Sequence, residues 1–180
     1  MNYGILLDYW FSAHMKKHWF NSTQAIDNDI RERFLPTWEA ALRHELDGWL
    51  ATDEGALAMI ILLDQLPLNM FRGQVKSFST EQLAVKIARQ AINQGLDKTL
   101  DSSRQVFMYM PFMHSENMND QDKSVALFKH AGMQESLKFA EHHRSIVQQF
   151  GRFPHRNAIL GRRSTEKELV YLASDEAFRG

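Results

Sequence analysis

Residues 151–162 read "GRFPHRNAILGR". Arg152, Arg156 and Arg162, with His155 and Asn157, stand there between glycines and Pro154. A guanidinium offers a planar fork of donors that matches a carboxylate or a phosphate through two parallel hydrogen bonds. Between His142 and Arg163 there are five arginines and three histidines and no aspartate or glutamate, in a chain whose formal net charge is -1. Such a segment needs acids from elsewhere in the chain, or an anion from outside it.

Two places supply acids without local cations. Asp64 continues the apolar stripe of Leu57, Ile61 and Leu68, in the last turn of a hydrophobic helix whose dipole disfavours an anion. No lysine or arginine occurs between Arg43 and Arg72, so Asp64 is expected to be buried and paired with Arg72 or with an arginine of 152–163. The second place is "PFMHSENMNDQD" (111–122), where His114, Glu116, Asp120 and Asp122 crowd one junction. Two chemistries follow. In one, Arg152, Arg156 and Arg162 staple their loop to these acids and the surplus donors bind a phosphate or carboxylate. In the other, His114 or His155 is the general base of a hydrolase or lyase and Glu116 orients it. A metal-assisted variant would use His114, Glu116, Asp120 and His143. Its spacing matches no zinc signature, and His114 and Glu116 do not share a helix face, so no metal and no cofactor is expected. His143 lies on an apolar stripe with Phe139, Ile146 and Phe150, where a core histidine bonded to backbone is the simpler reading.

These groups must be positioned by helices. No run alternates with period two between hairpin turns. Residues 23–35 and 37–50 read as helices separated by Pro36. "ALAMIILL" (56–63) opens a central helix to Leu66 that is apolar nearly all round. "STEQ" (79–82) predicts a capping box for a helix over about 80–94, with Gly95 ending it. A helix from about Ser103 is bent or ended by Pro111. Further helices span 120–131 and 134–150, stopped by Gly132 and Gly151, and "TEKE" (165–168) caps a short last one. The expectation is one all-α domain over 1–180, with about seven to nine helices in antiparallel pairs.

Composition narrows the classes. Cysteine is absent, which removes disulfides and thiolate chemistry and fits a reducing cytoplasm. No G-x-S-x-G is present. The start, "MNYGILLDYWF", lacks the basic region and cleavage site of a signal peptide, and the longest apolar run falls short of the roughly 20 residues a membrane span needs. A basic excess confined to one segment, at near-neutral total charge, speaks against nucleic acid and membrane partners.

"LLDYWF" (6–11), "LLDQLPLNMFRG" (62–73), "PFMHSENMNDQ" (111–121) and "HRSIVQQFGRFPHRNAILGRRST" (143–165) together resemble the bacterial family of unknown function DUF924. The resemblance implies an all-α fold like that of tetratricopeptide-repeat proteins and carries no established activity. Its motif positions fall here on Asp64, Gln65, Pro67, Asn69, Arg72, His114, Glu116, Asp120, Gln121, His143, Arg152, His155, Arg156, Asn157 and Arg162. Where the family commonly reads "DQFPRN", this chain has Leu66 and Leu68, so one arginine is lost. The expected function is binding of an anionic small molecule or peptide carboxylate. Arg152, Arg156 and Arg72 would supply charge, and Asn69, Asn157 and Gln65 orientation.

Overall fold

Among residues 2–179, which the computed structural model describes, every regular element is a helix. Counting the unbroken helical run 53–70 as one gives nine α-helices among them. Contacts gather these into two compact units. The first runs to Arg72 and includes Lys76–Pro111; the second holds Gly73–Val75 and the chain from Phe112 onward.

In the first unit, α1 (Tyr3–Trp10), α2 (Ala13–Lys16) and α3 (Gln24–Leu42) precede the central run. Thr23 caps α3, its hydroxyl accepting from the Ile26 amide. Pro36 does not divide α3, contrary to the break expected there. Ile30, Phe34, Trp38 and Ala41 bury one continuous face on both sides of the proline. The carbonyl that loses its amide partner is that of exposed Glu32, which water can serve. The helix ends at Leu42 and a 3-10 turn covers Asp47–Ala51, where a second long helix was expected.

The central run consists of α4 (Asp53–Ile60), a π turn (Ile61–Gln65) and α5 (Leu66–Met70). Thr52 caps it, and Gly55 lies so close to the Trp49 carbonyl that a Cβ would sit 2.1 Å from that oxygen. Residues 55–67 are all buried. The π turn has a local cause. Pro67 has no N–H to give to the Leu63 carbonyl, and the Leu66 amide reaches back five residues to Ile61. The Leu63 carbonyl instead accepts from the Thr80 hydroxyl at 2.5 Å. That bond explains a second departure. Thr80 precedes α6 (Glu81–Asn93) but makes no side-chain cap, because its hydroxyl is engaged at Leu63, so the "STEQ" capping box does not form. α6 packs on α4 and on the π turn, and α5 packs on α3.

α7 (Ser102–His114) continues through Pro111. In the second unit, α8 (Met118–His130), capped by Asn117, packs against α9 (Gln134–Phe150). α9 buries Ala140, His143, Ile146 and Val147, whereas Phe139, expected on that stripe, is 59% exposed. The buried face therefore begins one residue later. Gly151 ends α9 at φ 72, the left-handed value glycine takes most readily. α10 (Glu166–Leu172) begins with the expected capping box of Thr165 and Glu168. No helix among the described residues is long and apolar enough to cross a membrane.

Candidate functional site

The opening stretch forms a loop of the second unit. Phe153 is fully buried against Ile146 and Val147 and is extended ahead of Pro154, which starts a single 3-10 turn to Arg156. Asn157 and Arg156 are buried too, while Ile159 and Leu160 are only half-buried. The Arg162 amide closes the loop onto the Asn157 carbonyl at 2.8 Å.

Glu116 is the acid that holds this loop. Its Oε1 accepts from the Phe153 amide at 2.8 Å and from Arg162 Nη2 at 2.9 Å, and its Oε2 from Arg162 Nη1 at 2.6 Å. Burial alone would raise its pKa; Arg162 and the Phe153 amide outweigh burial and hold it below the usual range. Arg162 also donates to the Phe153 carbonyl and to Asn157 Oδ1, and Asn157 donates to Ser164. Arg152 forms the second staple, a two-bonded pair with Glu168 at 2.6 and 2.8 Å. Arg152, with the Thr165 amide, brings Glu168 down to about 2. Beside the loop, Asp120 accepts from Ser115 Oγ, and the Gln121 amide nitrogen donates to the carbonyls of Met113 and Ser115. These bonds fix the 112–121 junction from within.

The histidines gather around Phe153. His143 Nδ1 donates to the Phe139 carbonyl at 2.8 Å, the backbone bond expected of a core histidine. Burial holds its pKa at about 3, so the ring is neutral. Its ring lies against Phe153 and Phe178, with centroids 5.5 and 4.5 Å apart. His155 packs on the same two rings. Burial, then the positive charge of Arg156, lowers His155 to about 4. His114 is near enough to act electrostatically on both. Arg156 stacks over Phe153 at 4.7 Å.

The remaining candidates belong to the first unit. Asp64 is buried, as expected, and accepts from Gln65 Nε2 at 2.5 Å. Arg72, one of its two expected arginine sources, is engaged elsewhere. It forks onto Asp27 at 2.6 and 3.1 Å, where Asn69 and Ser22 also donate. Burial would raise Asp27; these donors outweigh it and lower its pKa. Asn69 and Arg72 thereby tie α5 to the first turn of α3.

The sequence left Asp27, Glu168 and Phe178 outside the site. Asp27 carried a signal, since it shares a helix face with Ile30 and Phe34, as Asp64 does with its leucines. Glu168 was read only as a cap. Nothing in the sequence marks Phe178. Among the described residues no three His, Asp or Glu side chains converge as metal ligands.

Residues 6–176 match the sequence model of a bacterial protein family of unknown function, DUF924. The chain belongs to DUF924. A solved structure agrees: the protein of unknown function ATU0120 from Agrobacterium tumefaciens is 41% identical and superposes with a TM-score of 0.90. That match covers 95% of this chain and 96% of that one. No curated protein matches. In this DUF924 chain the "RFPHRNAILGR" string builds the Glu116-held loop, and "NMFR" (69–72) builds the tie to Asp27.

Proposed function

We propose that this DUF924 protein binds a small anion, a phosphate or a carboxylate, at the histidine face of the 151–162 loop in its second unit. One observation carries the reading. His155 is half-buried on a loop tied down by Glu116, and neither of its ring nitrogens has a hydrogen-bond partner among the described residues. Arg152, Asn157 and Arg162 are committed to protein acceptors. Arg156 acts on His155 as a positive charge, and Glu116 and Arg162, paired with each other, act in opposite senses, so an anion there gains Coulomb attraction from Arg156 and an imidazole donor. The loop is preorganised by Glu116, which lowers the ordering cost of binding.

A hydrolase with a histidine held by Glu116 is less well supported, because the Glu116 oxygens accept from Arg162 and the Phe153 amide. A cytoplasmic setting belongs to the same proposal and rests on the absence of cysteine. Tetratricopeptide-like stacking also belongs to it and rests on the α8–α9 pair. The test follows the His155 ring resonances by NMR against phosphate, citrate and an acetylated dipeptide. An anion that binds raises the His155 pKa and stabilises the wild type but not His155→Leu. Unmoved His155 resonances at millimolar concentrations of all three would refute the proposal.

A further inference from the structure

Apart from that loop, the first unit contains a cavity of about 140 Å³. Its floor is apolar: Met59 of α4, Leu63 of the π turn and Ile87 of α6 line it and are themselves buried. Its rim is polar, with Lys86 and Gln90 one turn apart on α6 and His44 across from them. A cavity of about 150 Å³ accommodates a six-carbon ring.

Three observations say what belongs there. Lys86 has no acid three or four residues away on α6, where Gln82, Leu83, Arg89 and Gln90 stand. Among the described residues neither the Lys86 ammonium nor the Gln90 amide has a side-chain partner. The third is His44. Its amide donates to Ala41 and the Glu45 amide to Ala40, so it sits at the left-handed position that closes α3. At the corresponding ends of α6, α8 and α9 the chain uses Gly95, Gly132 and Gly151. His44, at φ 61, is the one non-glycine residue with positive φ among the described residues. A residue with a Cβ is strained there relative to glycine. Its ring Nδ1 reaches the two oxygens of exposed Asp47 at 3.4 and 3.3 Å, long contacts that are a weak structural reason for a histidine. A strained residue at the mouth of a cavity directs attention to what its side chain meets.

The geometry points to a binding site for a small amphipathic carboxylic acid. Its hydrocarbon part, the size of a short alkyl chain or one aromatic ring, enters between Met59, Leu63 and Ile87. Its carboxylate meets Lys86 and the Gln90 amide, with the His44 ring closing the mouth. Asp47 at the rim carries the opposite implication, a cationic head group, and the test separates the two. Full-length protein is titrated with hexanoate, phenylacetate, hexanamide and hexylamine, read by amide chemical shifts and thermal midpoint. The two acids are expected to shift amides of residues 41–50 and 83–90 and to raise the midpoint, and the amide and the amine to do neither. Lys86→Gln should weaken hexanoate about tenfold or more, the value of one charge-assisted hydrogen bond. His44→Gly should weaken hexanoate binding while leaving the unliganded midpoint unchanged or higher. Hexylamine binding as well as hexanoate would overturn the head-group assignment. A His44→Gly midpoint below wild type, with hexanoate binding retained, would show His44 to be a structural staple and overturn its place in the site. No response to either acid would overturn the site itself.

Discussion

Replacing Glu116 with alanine removes three hydrogen bonds from the 151–162 loop: two from Arg162 at 2.6 and 2.9 Å and one from the Phe153 amide at 2.8 Å. Breaking a fully buried ion pair costs about 3–5 kcal/mol, and an exposed one about 0–1 kcal/mol. Here the side chains of Arg162 and Glu116 are 23% and 27% exposed, so the pair lies between these limits. The expected loss for Glu116→Ala is about 2–3 kcal/mol. Glu116→Gln keeps one oxygen for the Phe153 amide and one Arg162 N–H, but it loses the charge and turns an NH2 toward the other Arg162 donor, so it should cost less than alanine, about 1–2 kcal/mol. Urea unfolding should be followed by far-UV circular dichroism, because all four tryptophans, residues 10, 19, 38 and 49, lie in the first unit. A double-mutant cycle with Arg162→Ala should give a coupling of about 1–2 kcal/mol. A Glu116→Ala protein within about 0.5 kcal/mol of wild type would refute the account of how the loop is held.

Burial of neutral histidines makes the fold sensitive to acid. The unfolded chain protonates them near the ordinary 6.5, the folded chain only near 4 for His155 and 3 for His143, so their contribution is complete above pH 6.5 and declines as pH falls toward those values. The thermal midpoint of His155→Leu should fall less between pH 7 and pH 4.5 than that of wild type, and parallel curves would count against this. Thr80→Val leaves the Leu63 carbonyl without its donor and should cost about 1–3 kcal/mol in urea, with Thr80→Ser close to wild type; a Val variant of wild-type stability would disprove that role. Pro36→Ala restores an amide inside α3 and should stabilise by about 1–2 kcal/mol. A lower midpoint for that variant would mean that the proline serves the fold.

The helices were legible because their ends are written in local chemistry. Gly95, Gly132 and Gly151 take left-handed φ where the pattern placed them, and the Thr165–Glu168 box forms. The misreadings occurred where a distant group claims a local signal. Thr80 looks like part of a cap until Leu63, freed by Pro67, takes its hydroxyl. Pro36 looks like a break until the shared face of Phe34 and Trp38 holds the helix straight through it. For the candidate site, the excess of arginine was legible and so was the need for acids. One pairing was legible too, since Glu116 of the 114–122 cluster meets Arg162; the other was not, because Glu168 carries the signal of a helix cap and none of a partner for Arg152. Arg72 is one of two arginine sources the sequence offers Asp64, yet the acid that meets it, Asp27, stands 45 positions earlier.

The π turn at 61–65 has a consequence for what this chain tolerates. Each residue of an α-helix turns the chain by about 100°. An extra residue held in a wide turn therefore rotates everything after it relative to everything before it. α4 faces α1 and α6, while α5 faces α3 and sets Asn69 and Arg72 on Asp27. Deleting a single residue between Ile61 and Gln65 would leave a good apolar helix, and would swing Asn69 and Arg72 off their acceptor. At the apolar positions of this segment an exchange of similar volume costs little beside a change in the number of residues. It is a stretch constrained by length more than by letter.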